Sequence, residues 1–87
     1  MAVVWIPSLM RDLTADQSEV QVSGQTVGEV IDVLDRCYPG LKARLCVGNQ
    51  LDPAIAVSVD GRISARRLLE PVGEESEIHF VPAVAGG

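Results

Sequence analysis

The chain has 87 residues and a formal net charge of −5. That length suits one small domain, and the charge argues against a nucleic-acid ligand, whose phosphates need a basic footprint. Hydrophobic residues make up 47% of the chain, yet Trp5, Tyr38 and Phe80 are its only aromatics, so the core must be aliphatic; at this length folding buries about 60–65% of the unfolded surface, which leaves little to waste. The acidity suits a basic protein partner.

In chain order, MAVVWIPSLM is apolar but carries no basic segment ahead of its apolar run and is interrupted at Pro7. It is a poor signal peptide and far too short to cross a bilayer, which predicts a cytoplasmic protein with no membrane partner. Val3–Ile6, closed by Pro7-Ser8, reads as a strand. RDLTADQ carries turn formers, and SEVQV alternates polar and apolar as a half-buried strand does, so the two strands are expected to pair as a loosely connected hairpin. TVGEVIDVLDRCYPG is the clearest helix. Thr26 and Glu29 form a T-x-x-E capping box; Val27, Val30, Ile31, Leu34 and then Cys37 or Tyr38 make one apolar stripe; Pro39-Gly40 ends it. Gly28 weakens the first turn by about 1 kcal/mol relative to Ala, so this helix depends on docking. LKARL reads as one further helical turn, followed by a loop, VGNQLDP. AIAVSV is rich in β-formers and runs into the turn signal Asp60-Gly61. RISARRLLEPVGEE is mixed, with a short strand at its start. SEIHFVP is the last strand, with Ile78 and Phe80 on one face and His79 and Val81 on the other.

The order of hairpin, helix and strands predicts an α+β fold, a mixed sheet of four to five strands with one main helix across one face. Val3–Ile6 is expected beside Ser76–Val81 in parallel. The body should occupy residues 1–82, with residues 83–87 as a flexible tail.

The side chains make no active site of the usual kinds. His79 is the only histidine, and no second strong ligand stands at a useful spacing, so no metal is expected. The serines lie in no nucleophile-elbow pattern, and the glycines form neither a P-loop nor a dinucleotide fingerprint. Cys37 and Cys46 match neither a redox CxxC nor a zinc pair and are expected as reduced, buried small hydrophobes. Arg62, Arg66 and Arg67 stand close enough to hold an anion, but a solvated surface run is the expectation. Glu74, Glu75 and Glu77 read as a solvated turn.

What remains is the ending, HFVPAVAGG. After Pro82 it has no charge and no hydrogen-bonding side chain, whereas a solvated tail is normally polar. Pro82 stiffens the root of this arm, and Gly86 and Gly87 let the walls of a narrow cleft approach the backbone where a Cβ would collide. Such an arm is shaped to deliver the Gly87 carboxylate into a partner, with Pro82, Ala83, Val84, Ala85 and Gly86 inside the cleft. His79 and Val81, at its base and turned away from the helix, are expected to line the docking surface.

A helix after a hairpin, a final strand and a terminal P-A-V-A-G-G resemble the ubiquitin-like sulfur carriers of the MoaD/ThiS type, and most of all their CysO-like, cysteine-forming subgroup. IPSLMRDLT, TVGEVIDVLDRCYPGLKARL and the V-D-G turn at Val59–Gly61 agree, so the resemblance covers nearly the whole chain. Two stretches depart from it. E-E-S-E-I at Glu74–Ile78 stands where such carriers usually read like D-G-D-E-V, and AIAVSVDG stands where the cysteine-forming relatives have an asparagine-rich strand. The resemblance implies a β-grasp fold and a carrier that is not itself an enzyme. An E1-like enzyme would use ATP to adenylate Gly87, and a sulfur donor would convert it to a C-terminal thiocarboxylate. That group would then feed a biosynthetic enzyme making cysteine, molybdopterin, thiamin or a secondary metabolite. No cofactor would be bound by the chain itself. Two rival roles are a ubiquitin-like modifier conjugated through Gly87 and the small subunit of a molybdopterin-synthase-like complex. The neutral tail and the single lysine, Lys42, weigh against the modifier.

Overall fold

The computed structural model describes residues 1–83, and Val84–Gly87 lie outside the described residues. Strand β1 (Ala2–Trp5) pairs antiparallel with β2 (Glu19–Val22), with Val4 opposite Val20 and Trp5 opposite Glu19. Between them, where turn formers were read, the chain makes a 3-10 helix over Ser8–Thr14. Its signal was the apolar pair Met10 and Leu13, three apart, both packed on the core. Ala15 and Asp16 then take positive φ angles of 51° and 64° to turn the chain back, and the buried Thr14 hydroxyl donates to the Gln17 carbonyl (2.9 Å).

Helix α1 spans Val27–Cys37 and buries Val27, Val30, Ile31 and Leu34. Glu29 N–H donates to Thr26 Oγ1 (3.2 Å) as the capping box requires, while the Glu29 carboxylate reaches one residue further back, to the N–H of Gln25 (3.2 Å). At 100° per residue Tyr38 falls near the middle of the buried stripe and Cys37 at its margin. Tyr38 is accordingly half-buried, and Cys37 is exposed, which overturns its reading as a core residue; Cys46 is half-buried. Gly28 has a packing role: a Cβ there would sit 3.2 Å from the Leu68 carbonyl oxygen. The short 3-10 helix Arg67–Leu69 can therefore close on the first turn of α1.

Gly40, at a φ of 107°, separates α1 from α2 (Leu41–Leu45). The segment read as a loop holds a small hairpin, β3 (Cys46–Val47) with β4 (Gln50–Leu51), around Gly48 at a φ of 61°. Strand β5 (Ile55–Val59) turns through Asp60 (φ 52°) and Gly61 (φ 85°) into β6 (Arg62–Ile63). Positive φ at both central residues matches the twist of a two-residue hairpin. The last strand, β7 (Glu77–Pro82), runs parallel to β1 and antiparallel to β5.

The five-stranded sheet has the order β2-β1-β7-β5-β6, so the first and last long strands form its centre. One face carries Ala2, Val4, Val22, Val57, Ile78 and Phe80 into a single core with Val27, Val30, Ile31 and Leu34 of α1 and Leu41 and Leu45 of α2. Ile78 has no exposed surface and Phe80 keeps 7%. The departing turn before β7 is closed by side chains instead of glycine. Ser76 Oγ accepts from Gly73 N–H (2.8 Å) and donates to Asp60 Oδ2 (3.0 Å), and Asp60 Oδ1 accepts from Glu77 N–H (2.9 Å).

The arginine run is not wholly solvated. Arg62 and Arg66 are exposed, but Arg67 is half-buried and its Nη2 donates to the carbonyls of Leu51 (3.3 Å), Asp52 (3.0 Å) and Ile55 (2.9 Å). No helix is long and apolar enough to cross a membrane, and no group of three or more His, Cys, Asp or Glu side chains is placed to hold a metal, both among the described residues.

Candidate functional site

The face of the sheet turned away from α1 follows from the pairing register. Glu19, Trp5, His79, Ser58 and Ile63 lie opposite one another in successive strands, and Val81 stands beside Ala56 in the neighbouring row. His79 and Val81 are half-buried, as residues on a sheet face with no covering layer must be. The Trp5 and His79 rings stack, with centroids 5.5 Å apart and planes 7° from parallel, a spacing typical of favourable ring pairs. Trp5 Nε1–H donates to the Glu77 carboxylate (3.3 Å). A flat aromatic platform thus sits on β1 and β7, with carboxylates of Glu19 and Glu77 at its margin.

Trp5 was missed by the sequence reading as part of this surface. The signal was available, since Trp5 has the wrong parity for the core that holds Val4 and Ile6, and parallel pairing brings it opposite His79.

At the other end of β7 an apolar groove of about 200 Å³ is lined by Pro7, Leu9, Met10, Ala54, Ile55, Phe80, Val81 and Pro82. Leu9, on the 3-10 helix, is 86% exposed at its rim. An aliphatic side chain held this far into water is normal singly but informative beside a continuous apolar groove. Leu9 had no signal in the sequence, because its exposure depends on where the 3-10 helix sets it.

Pro82 ends β7 opposite Ile55. The pairing continues one residue past the expected boundary of the body, for Ala83 N–H donates to the Ala54 carbonyl (2.8 Å). Platform, groove and arm root are therefore consecutive along β7. A larger hollow of about 350 Å³ between Asn49 and Leu69 contains no β7 residue, so size alone does not pick out the site. The expected positions Val84, Ala85, Gly86 and Gly87 lie outside the described residues.

This chain is similar to known proteins along its whole length. A model of the ThiS family matches residues 4–87. The sulfur carrier protein CysO of Mycobacterium tuberculosis is 31% identical over 94 residues, covering 97% of this chain and 96% of that one. Among solved structures, a chain of the Amycolatopsis orientalis BexX/CysO complex superposes with a TM-score of 0.89 at 33% identity, each chain covered completely. SAMP1 of Haloferax volcanii, a small archaeal modifier protein, gives 0.73 at 26% identity, covering 99% of this chain and 98% of that one. The arrangement of β1 and β7 around a ubiquitin-like β-grasp sheet, and these matches from one end of the chain to the other, place it in the ThiS/MoaD family as a sulfur carrier protein of the ThiS/CysO type.

Proposed function

We propose that the chain carries sulfur as a thiocarboxylate on Gly87 and is activated by an E1-like enzyme that docks on β7. The Gly87 carboxylate attacks the α-phosphorus of ATP and expels pyrophosphate, giving an acyl adenylate. A sulfur donor then attacks the acyl carbon, AMP leaves, and the C-terminal thiocarboxylate remains. Like other ionised sulfur groups it is a strong nucleophile near neutral pH, presented on an arm that reaches a second enzyme's site. ATP is bound and used by the activating enzyme; this protein supplies the acyl group and acts as co-substrate in the cytoplasm.

The observation that carries this reading is continuity. The strand bearing His79 and Val81 leads directly through Pro82 and Ala83 into the last residues matched by the family model. Residues 83–87 serve as the arm: Pro82 and Ala83, bonded to the body, root it, and residues 84–86 are taken up as extended backbone in the partner's cleft. Ordering it opposes binding by about 1–2 kcal/mol per residue, so the folded body must provide most of the affinity. His79, Trp5 and Val81 with the groove offer that surface, and the carboxylates of Glu19 and Glu77 suit a basic rim on the partner.

The test is thiocarboxylate formation with the activating enzyme, ATP and a sulfide source, read by intact mass as replacement of one oxygen by sulfur. Deleting Gly87 moves the carboxylate back by about 3.5 Å, outside near-attack geometry, so docking should persist while thiolation stops. Thiolation of the shortened chain at the normal rate would sink the mechanism.

The likeness to SAMP1 supports a second reading, conjugation through Gly87 to other proteins. Chains built on this protein itself have a single attachment point, because Lys42 is its only lysine and its ammonium is paired with Asp32 (2.7 Å). Recovering Gly87 in an isopeptide bond after pull-down would establish that role.

A further inference from the structure

The root of the arm rests on a loop with an unusual fastening. Ala83 N–H donates to the carbonyl of Ala54 (2.8 Å), and Ala54 lies on the segment between β4 and β5. Within that segment Asp52 makes a tight turn: its Oδ1 accepts from Ala54 N–H (2.8 Å), and its backbone carbonyl accepts from Ile55 N–H (2.9 Å). Pro53 and Ala54, both exposed, form its tip. Leu51 and Ile55 pack on the core at either end, but the tip has few apolar contacts of its own and would open readily without a tie.

Two outside ties hold it: Asp52 N–H donates to the Leu45 carbonyl (2.9 Å) at its start, and Arg67 clasps the rest. Its Nη2 bonds the carbonyls of Leu51, Asp52 and Ile55, the residues that bracket Ala54 on both sides. Arg67 also has a φ of 55°, a left-handed conformation unfavourable for an L side chain. Ser64 Oγ helps to fix it, accepting from the N–H groups of Arg66 and Arg67 (3.0 Å each). A guanidinium that bonds three main-chain carbonyls of one turn, and makes no ion pair among the described residues, is spent on fixing that turn.

We propose that Arg67 is a positioning residue for the C-terminal arm. It locks the Leu51–Ile55 turn, whose Ala54 carbonyl holds Ala83 and so sets where the arm leaves the body. The inference rests on the carrier reading above, and geometry explains its need. Four residues follow Ala83 and reach at most about 14 Å. If Ala83 is released, the arm gains freedom at its base and the carboxylate is no longer delivered from a fixed point, while the Trp5–His79 platform is untouched and only the Ala54–Ile55 wall of the groove is loosened. Misplacement of about 1 Å costs as much as a hundredfold in rate.

The experiment uses the full chain with Arg67→Lys, Arg67→Gly and Asp52→Ala. Lysine keeps the charge, but all three bonds come from Nη2, and an ammonium on a four-carbon stem ends one bond short of that position. Glycine removes the fork and also relieves the left-handed backbone. Alanine at 52 removes the carboxylate that accepts from Ala54 N–H while keeping the backbone carbonyl that Arg67 bonds. Amide hydrogen exchange in the free protein should quicken at Ala83 by about tenfold or more in all three variants, while the amides of Ile78 and Phe80 keep their protection. With the activating enzyme, kcat for thiocarboxylate formation should fall by about tenfold, and any rise in KM for the carrier, from the loosened Ala54–Ile55 wall of the groove, should be smaller than that fall. A residue that merely stabilised the fold would speed exchange throughout the sheet and leave no such split. Unchanged Ala83 exchange in the variants overturns the proposal, and so does loosened Ala83 with unaltered kcat. If Arg67→Gly fails to fold, Arg67→Lys and Asp52→Ala decide by the same two readouts. A wild-type chain that is never thiolated defeats the carrier reading, and the exchange data still settle whether Arg67 holds the arm's root.

Discussion

The two faces of β7 are built from alternate residues of one six-residue strand and do different work. Ile78 and Phe80 point at α1 and are buried; His79 and Val81 point away, stay half-exposed and lead to the arm. The inner face is held by many partners at once, so its residues bear on stability. The outer face has a single layer beneath it, so its residues are free to bear on recognition. A two-residue period thus separates the core face from the proposed docking face within a few ångströms, and substitutions on the outer face should leave stability intact, whereas Phe80 also reaches the groove.

The largest effect that would sharpen this contrast is Phe80→Ala. Removing a core aromatic from so small a domain should cost about 3–5 kcal/mol, enough to unfold much of the population. A loss under about 1 kcal/mol in chemical denaturation would mean the inner face is misassigned. Next is Val81→Asp, which should weaken binding to the activating enzyme by tenfold or more, about 1.4 kcal/mol, with an unaltered melting curve. A charge would have to be desolvated in the contact. Equal affinity with native melting would move the interface off this face. Leu9→Ser should produce a smaller loss of affinity, about threefold, because the side chain is at the rim of the groove; calorimetric titration against the activating enzyme reads it. A loss as great as that of Val81→Asp would shift the centre of the contact to the 3-10 helix.

The smallest effect concerns the thiols on the other side of the molecule. Burial raises the Cys46 pKa, with the Lys42 charge opposing in part. A raised pKa means less thiolate at any pH below it, and the thiolate is the reactive form. Exposed Cys37 should therefore be alkylated before Cys46 near pH 8, and the gap should narrow as pH rises toward the Cys46 value. Peptide mass mapping checks the order, and preferential labelling of Cys46 would contradict it.

Much of this was legible from residues. The α1 boundaries, the stripe of Val27, Val30, Ile31 and Leu34 and the Asp60-Gly61 hairpin follow from capping, periodicity and turn chemistry, and the parallel pairing of β1 with β7 was expected from the order of hairpin, helix and last strand. What was hidden depended on three-dimensional placement. The 3-10 helix Ser8–Thr14 is too short to show a period, and β3 and β4 are two-residue strands whose only mark is the turn at Gly48. Cys37 and Tyr38 compete for one place on the stripe, and the angle of the last turn decides between them. Within the site, His79 and Val81 were readable from alternation, whereas Trp5 needed the strand register and Leu9 and Ala54 needed coordinates. Arg67 read as one of three surface cations because no linear pattern reveals a guanidinium turned onto carbonyls 12 to 16 residues away.

The pairing of β1 with β7 also orders events in the life of the chain. The middle of the sheet joins segments 72 residues apart, as the Trp5–Glu77 bond measures. Contacts so distant in sequence are slow to form and cannot form early. During translation β1, β2 and α1 emerge with no central neighbour to complete them, and Ile78 and Phe80 arrive last. A prematurely terminated product therefore lacks a closed core, lacks the Trp5–His79 platform and is exposed to proteolysis. Closure of the core and assembly of the outer Trp5–His79 pair thus wait on one and the same strand, β7.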